Sequence, residues 1–196
     1  MTAAIRFADP SDGAALAGIY GPSVTDSATS FETVAPDAAE MSRRVEKIIA
    51  RTPWLVYESD GLVLGYAYAS PFRDRAAYQW SVEVSAYVAS SARGKGVARA
   101  LYEALLRLIA MQGFHNAYAG ITLPNEASVR LHTALGFTPI GVYRKVRFKH
   151  GAWHDVAWYE REVAPHSISP PPPRALSEPG VLNELEAALA RRLAQN

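Results

Sequence analysis

The run WSVEVSAYVASSARGKGVARALYEALL, Trp80 to Leu106, decides how this chain is read. It begins with β-branched and aromatic residues, passes through the small residues Ala89-Ser90-Ser91-Ala92, and reaches Arg93-Gly94-Lys95-Gly96. From there Val97, Leu101, Leu105 and Leu108 recur near the 3.6-residue period of a helix with one buried face. The order is strand, glycine-rich turn, helix. Such a turn aims unpaired backbone N–H groups and the positive end of a helix dipole at one point, which suits a pyrophosphate. Spacing excludes two common phosphate loops. A nucleotide P-loop needs Ser or Thr after Gly-Lys, where Gly96 stands, and a dinucleotide fingerprint needs a small residue where Arg99 stands. What remains is Arg-x-x-Gly-x-Ala, from Arg93 through Gly96 to Ala98. Read alone it is either a cofactor loop or a tight β-to-α turn.

Outside this run, composition narrows the class. The 196 residues are 49% hydrophobic and 20% charged, which fits one domain with a full core and room for an appendage. A net charge of +1 with mixed signs gives no electrostatic footprint for nucleic acid. No apolar run approaches the roughly 20 residues that span a bilayer, and MTAAIRFADP has no basic-then-apolar leader. We therefore expect a cytoplasmic protein without a membrane or nucleic-acid partner. Cysteine is absent, so disulfides, thiolate-held metals and acyl-cysteine chemistry are excluded. No metal site is expected. Acyl transfer, if present, passes most simply from donor straight to acceptor.

In chain order, Ile5-Arg6-Phe7 reads as a strand and Asp9-Pro10-Ser11-Asp12 as the start of a helix carrying Leu16, Ile19 and Tyr20, disturbed at Pro22. Val24 to Val34 is Ser/Thr-rich and reads as a loop, with Phe31 its one large apolar residue. Pro36-Asp37 opens a helix striped by Met41, Val45, Ile48 and Ile49. Trp54 to Tyr57 and Leu62 to Ala69 form a hairpin around Asp60-Gly61. Beyond the central helix, Gly113 is a C-cap, Ala117 to Leu123 a strand, and Asn125 the cap of a short helix stopped by Gly136. Phe137 to Phe148 and Trp153 to Glu162 make a last hairpin around His150-Gly151. The sum is a mixed α/β sheet in the order β-α-α-β-β-β-α-β-α-β-β, over residues 1–164. Residues 165–177, with HSISPPPP, read as an extended proline-rich linker. A helix over 178–196 carries Leu182, Leu185, Leu189 and Leu193 on one stripe, which must bury itself on the domain or on a second subunit.

Three groups of residues can carry chemistry. Glu83 lies in an apolar strand and shares a face with Ser81, Ser85 and Tyr87. Either it is solvated, or burial raises its pKa toward that of a general base. Arg73 and Arg75 are either solvated around Asp74 or a clamp for anionic groups, since guanidinium forms paired charge-assisted hydrogen bonds. The basic run Arg144 to Lys149 can approach a cofactor phosphate; the alternation favours a strand with Val146 and Phe148 inward and the charges outward. His154-Asp155 has no accompanying nucleophile motif, and neighbours on a strand face opposite ways, so it receives no catalytic role.

The Arg93–Ala98 loop resembles the coenzyme-A pyrophosphate loop of the GNAT acetyltransferase superfamily. Asn125-Glu126-Ala127-Ser128-Val129-Arg130-Leu131-His132 through Gly136-Phe137 is similar to that superfamily's second cofactor segment, with Ser128 in place of Ala and His132 in place of Tyr. More closely, PWLVYESDG, Arg73 to Glu83, LPNEASVR and FKHGAWHDV resemble the phosphinothricin and methionine sulfoximine acetyltransferases, over roughly Ile5 to Glu162. The resemblance implies the GNAT acyl-CoA N-acyltransferase fold, acetyl-CoA as co-substrate, a small amino-acid-like acceptor and a homodimer. It implies cofactor contacts from Tyr87, Val88, Arg93, Gly94, Lys95, Gly96, Val97, Ala98, Asn125 and Ser128. Phe31, Arg73, Arg75, Tyr78, Ser85, Tyr87 and Val156 would surround the acceptor, with Glu83 and His132 as the catalytic pair. Arg73 stands where Lys is common, and Ser85 where Thr is common. Two rivals remain: the same fold acting on another amine, such as a polyamine, an aminoglycoside or a peptide N-terminus, and a non-catalytic coenzyme-A-binding or scaffold module. Polycationic acceptors would favour acids where Arg73 and Arg75 stand.

Overall fold

The computed structural model describes residues 3–193. Residues 1–2 and 194–196, at the ends of the expected segments, and the side chains of Arg192 and Leu193 lie outside the described part. Strands β1 (Ala3–Phe7), β2 (Trp54–Ser59), β3 (Leu62–Pro71), β4 (Ser81–Val88), β5 (Asn116–Thr122), β6 (Thr138–Lys149) and β7 (Ala152–Glu162) form one sheet in the order β1-β2-β3-β4-β5-β7-β6. Helices α1 (Gly13–Thr25), α2 (Ala38–Ile49), α3 (Val97–Gln112), α4 (Glu126–Ala134) and α5 (Val181–Leu193) complete it. Up to α4 and the last hairpin, the element order is the one the sequence implies.

The sheet separates two cores. On one face α3 buries Val97, Leu101, Leu105 and Leu108, packed with Val82 and Val84 of β4 and Ala117 and Ala119 of β5. On the other, α1 and α2 close over Trp54, Val56 and Tyr66 with Leu16, Tyr20, Met41 and Val45. Helix α1 runs through Pro22 to Thr25. Proline removes one donor, and in the last turn this costs a single helical bond, so the helix ends three residues later than Pro22 suggests. Asp37 caps α2 through Glu40 N–H at 2.7 Å, and Asn125 caps α4 through Ser128 N–H at 3.1 Å.

Two corrections concern the periphery. The strand reading of Arg144 to Lys149 had the wrong face inward. Val146 is 49% and Phe148 60% exposed, while Lys149 is only 7% exposed. Alternation marks the interior only where a layer covers that face. Here the apolar face of the β6–β7 hairpin is uncovered, and the face bearing Arg147 and Lys149 lies under the 26–35 loop.

The second correction is at the carboxy-terminal end. Residues 165–177 lie against the domain: Trp80 Nε1 donates to Pro171 O at 2.8 Å, and Gln112 Nε2 donates to the carbonyls of Arg51 and Arg174. Helix α5 begins at Val181 and buries Val181, Leu185, Ala188 and Leu189 in the α3 core, while Leu182 is 38% exposed. Leu185 and Leu189 of the expected stripe are therefore buried, and Val181 takes the place of Leu182 at its start. Each buried leucine contributes about 1.5–3 kcal/mol.

Candidate active site

The parallel pair β4–β5 holds for only three positions, Ser81↔Asn116, Val82↔Ala117 and Glu83↔Tyr118. β4 then runs on to Val88 and β5 to Thr122 without pairing to each other, so the edge of β4 beyond Glu83 has no ladder partner on that side. An open cleft fills the wedge, lined by Ser85, Tyr87, Tyr102, Gly120, Thr122, Thr29, Asn125, Ser128 and His132. Every element that bounds it was placed by the sequence; the wedge itself was not.

At the mouth of the wedge stands the Arg93–Gly96 turn. Gly94 and Gly96 adopt φ of 73° and 81°, and nothing lies within 4 Å of where a Cβ would project from either. No side chain caps α3, and Arg93 and Lys95 are exposed. First-turn N–H groups lack helical partners, so this is an open, donor-lined cradle with two cations beside it, and a diphosphate fits it. Val97 is buried and anchors the turn: its Cγ1 lies 3.0 Å from the point where a Cβ on Gly65 of β3 would stand. Val88 contributes its carbonyl, which accepts from Arg93 Nε at 3.4 Å.

Glu83 marks the vertex of the wedge. Burial pushes its carboxyl above the ordinary carboxylate range, and the positive charge of Arg73 opposes this only in part. Ser85 and Tyr87 follow on the same face, Ser85 opposite Tyr68 in the β3–β4 ladder and Tyr87 edge-on to Tyr20 at 4.7 Å. Arg73 lies over the rings of Phe72, at 4.1 Å, and Trp158, at 5.8 Å, and Phe72 stacks on Tyr118 at 4.2 Å. Arg75 and Tyr78 are exposed in the turn that follows. Val156 is buried in β7 beside Gly120, which lines the cleft.

His132 is buried, with both ring nitrogens engaged. Nδ1 is 2.8 Å from the Ser128 carbonyl, which can only accept, so Nδ1 carries the proton; Nε2 then accepts from the Tyr102 hydroxyl at 3.2 Å. Burial lowers the His132 pKa and raises that of Tyr102. The neutral ring thus fixes the Tyr102 hydroxyl in the cleft wall. Asn125 spends its side-chain oxygen on Ser128 N–H, which leaves its NH2 group as remaining donor.

Phe31 stands apart from this group. It is 53% exposed and lies under the guanidinium of Arg147, whose Cζ is 3.7 Å from the ring centre. Sequence reasoning gave no role to Tyr102 or Trp158, and weighed Arg147 only as part of the basic run Arg144 to Lys149. Tyr102 carried a signal, a phenol on an otherwise aliphatic buried stripe. Trp158 has a buried indole N–H with no hydrogen-bond partner, in the ring that Arg73 approaches. No side-chain pattern in the strand distinguishes it from a packing tryptophan. Among the described residues no group of His, Asp or Glu is arranged to hold a metal, and no helix is long and apolar enough to cross a membrane.

Comparison with known proteins gives a consistent result. The model of the acetyltransferase (GNAT) domain matches residues 5–158. The chain is 41% identical over 170 residues to a phosphinothricin N-acetyltransferase of Streptomyces viridochromogenes, covering 87% of this chain and 91% of the relative. It is 34% identical to an L-methionine sulfoximine/L-methionine sulfone acetyltransferase of Salmonella typhimurium, covering 83% and 96%. Among solved structures, it is similar to a GNAT superfamily phosphinothricin acetyltransferase from Sinorhizobium meliloti in complex with AcCoA, with TM-score 0.81, 37% identity and coverage of 87% and 94%.

Proposed function

The chain belongs to the GNAT acetyltransferase domain family, and from that premise we propose that it acetylates the α-amino group of a small L-amino-acid analogue, with acetyl-CoA as donor. Phosphinothricin and methionine sulfoximine or sulfone, for which its relatives are named, are the leading acceptors. The observation that carries this reading is the desolvated Glu83 carboxyl at the vertex of the β4–β5 wedge, with Arg73 beside it.

Acetyl-CoA supplies an activated thioester carbonyl and a thiol leaving group. Lys95 to Ala98 offer backbone donors for its diphosphate, with Arg93 and Lys95 adding charge. Asn125 and Ser128 flank the cleft farther along, and unpaired N–H groups of β4 near Tyr87 and Val88 polarise the carbonyl. Glu83 takes a proton from the acceptor amine, directly or through one water. The nitrogen lone pair then forms the amide bond as the C–S bond breaks. Return of a proton to sulfur falls to solvent, because His132 holds its one N–H on a backbone carbonyl and burial disfavours its imidazolium. His132 is a positioning residue for Tyr102 in this scheme. Arg73 and Arg75 form the cationic rim for the acceptor, with Ser85, Tyr78 and the Trp158 N–H as further polar contacts.

Glu83→Gln tests the scheme. We expect kcat at pH 7 to fall by about 10²–10⁴-fold, the usual contribution of a positioned base, while calorimetry shows acetyl-CoA binding unchanged. Unaltered turnover would remove Glu83 from the role. A panel of amino-acid analogues, polyamines and peptides, read by thiol release, ranks acceptor classes.

The proposal includes a homodimer working in the cytoplasm. Its support is the uncovered apolar face of the last hairpin, with Val146, Phe148 and Trp153 each about half exposed. Trp153→Glu should shift sedimentation from dimer to monomer; a wild-type monomer at micromolar concentration refutes this part.

A further inference from the structure

Near the end of β6 a part-buried cation, Arg147, and a buried one, Lys149, find only neutral hydrogen-bond partners. Arg147 Nη1 donates to Thr122 Oγ1 at 2.9 Å, and Nη2 to the carbonyls of Ala28 at 2.8 Å and Ser30 at 2.7 Å. Lys149, 7% exposed, donates from Nζ to the same Ser30 carbonyl at 3.2 Å. All these acceptors are neutral. Glu32, the acid whose field reaches Lys149, is held by both terminal nitrogens of Arg44, at 2.6 and 3.0 Å, and by the Tyr20 hydroxyl at 2.9 Å. Burial lowers the pKa of Arg147, and burial together with repulsion from Arg147 lowers that of Lys149. Two like charges sharing one carbonyl are costly unless an anion joins them.

The place where that anion would come from is the cleft. Thr122 and Thr29, which line the cleft, are respectively bonded to Arg147 and adjacent to the carbonyls it holds. Phe31 covers one face of the guanidinium, and donors remain beyond the three already spent. At the other end of the acceptor face, Arg73 is near enough to Glu83 for its charge to oppose the rise in the Glu83 pKa. In an α-amino acid one carbon separates nitrogen from carboxylate. A carboxylate on Arg73 would therefore put the nitrogen near Glu83, and a side chain reaching along β5 from Tyr118, the ladder partner of Glu83, would meet Thr122.

We propose that Arg147, backed by Lys149, binds the distal anionic head of the acceptor, while Arg73 holds its α-carboxylate and Arg75 stays at the solvent rim. This rests on the amino-acid acceptor reading above and adds a second cationic subsite to it. The head it takes is a phosphinate or carboxylate, and charge in that head is what it reads.

The test compares phosphinothricin, with an anionic head, and methionine sulfone, with an uncharged one, as acceptors for the full-length wild type, Arg147→Met and Arg147→Lys. In Arg147→Met the KM for phosphinothricin should rise about 10- to 100-fold, the range of one charge-assisted contact, and that for the sulfone by under about threefold. Arg147→Lys should recover part of the loss. An equal rise for both acceptors would reduce Arg147 to an anchor of the 26–35 loop and overturn the proposal, as would no rise for phosphinothricin. An unchanged acetyl-CoA KM certifies that the variant is folded. If Arg147→Met does not fold, Lys149→Met read in the same way decides. A wild type that acetylates neither compound refutes the acceptor reading itself, and is seen before any variant is made.

Discussion

The two loops that flank the cleft are opposites in polarity. The Arg93–Gly96 turn presents backbone N–H groups, has its glycines at positive φ, and stands in solvent with its cations on the outside. The 26–35 loop presents carbonyl oxygens instead, those of Ser27, Ala28 and Ser30, to His150, Arg147 and Lys149 of the last hairpin. In the proposed scheme the first is an anion receptor made by the backbone. The other is a backbone surface held down by cations that can themselves receive an anion. A donor and an acceptor that both carry negative charge can thus enter from different sides of one wedge without competing for the same groups.

That division is open to attack, beginning with the backbone receptor. Gly96→Val places a β-branched residue at φ 81°, where it is strongly disfavoured, so the cradle must deform. We expect acetyl-CoA affinity by calorimetry to fall by about 30-fold or more, with the acceptor KM nearly constant; loss of both together would merge the two loops into one site.

The vertex between them responds to pH. Glu83 has a raised pKa, so its basic form is lost as pH falls through a value above the usual carboxylate range. On the acid limb kcat/KM for the acceptor should drop about tenfold per pH unit, and that limb should be absent in Glu83→Gln. Salt gives a smaller contrast. Raising ionic strength screens exposed Arg93 and Lys95 more than part-buried Arg147, so the acetyl-CoA KM should rise a few-fold while the phosphinothricin KM moves less. The smallest effect is on stability. A carboxylate with a raised native pKa loses stability for the fold as pH rises from its unfolded to its folded value. Glu83→Gln should therefore melt no lower than wild type at pH 7, and about 2–4 °C higher for each kcal/mol relieved; a lower melting temperature would mean that the charge is compensated in the native state.

The same contrast explains what the sequence could disclose. The glycine turn, the Asn125 cap and the α3 stripe are local, set by residues within one or two turns of each other, and each was readable from spacing. The 26–35 loop is held by Tyr20 and Arg44 and also by residues about 120 positions away, of which a Ser/Thr-rich stretch gives no hint. The alternation in β6 was visible but its sense was not. Arg144, Lys145 and Val146 face Asp155 alone on β7, Lys145 has φ 47°, and Asp155 accepts the Lys145 N–H at 2.7 Å. A bulge of this kind leaves no mark in side-chain patterning. Glu83 could be flagged as out of place in its strand; only the early end of the β4–β5 ladder shows that it stands where the two strands part.

Helix α5 touches β1 as well as α3, so residues near position 5 are enclosed by residues beyond position 180. Contacts of such sequence separation form late, because the whole intervening chain must be closed into a loop before they are gained. During synthesis the α3 side of the sheet consequently stays greasy and unsealed until Leu185 and Leu189 have emerged. A ribosome stalled short of them should hold a nascent chain that proteases cut and chaperones retain.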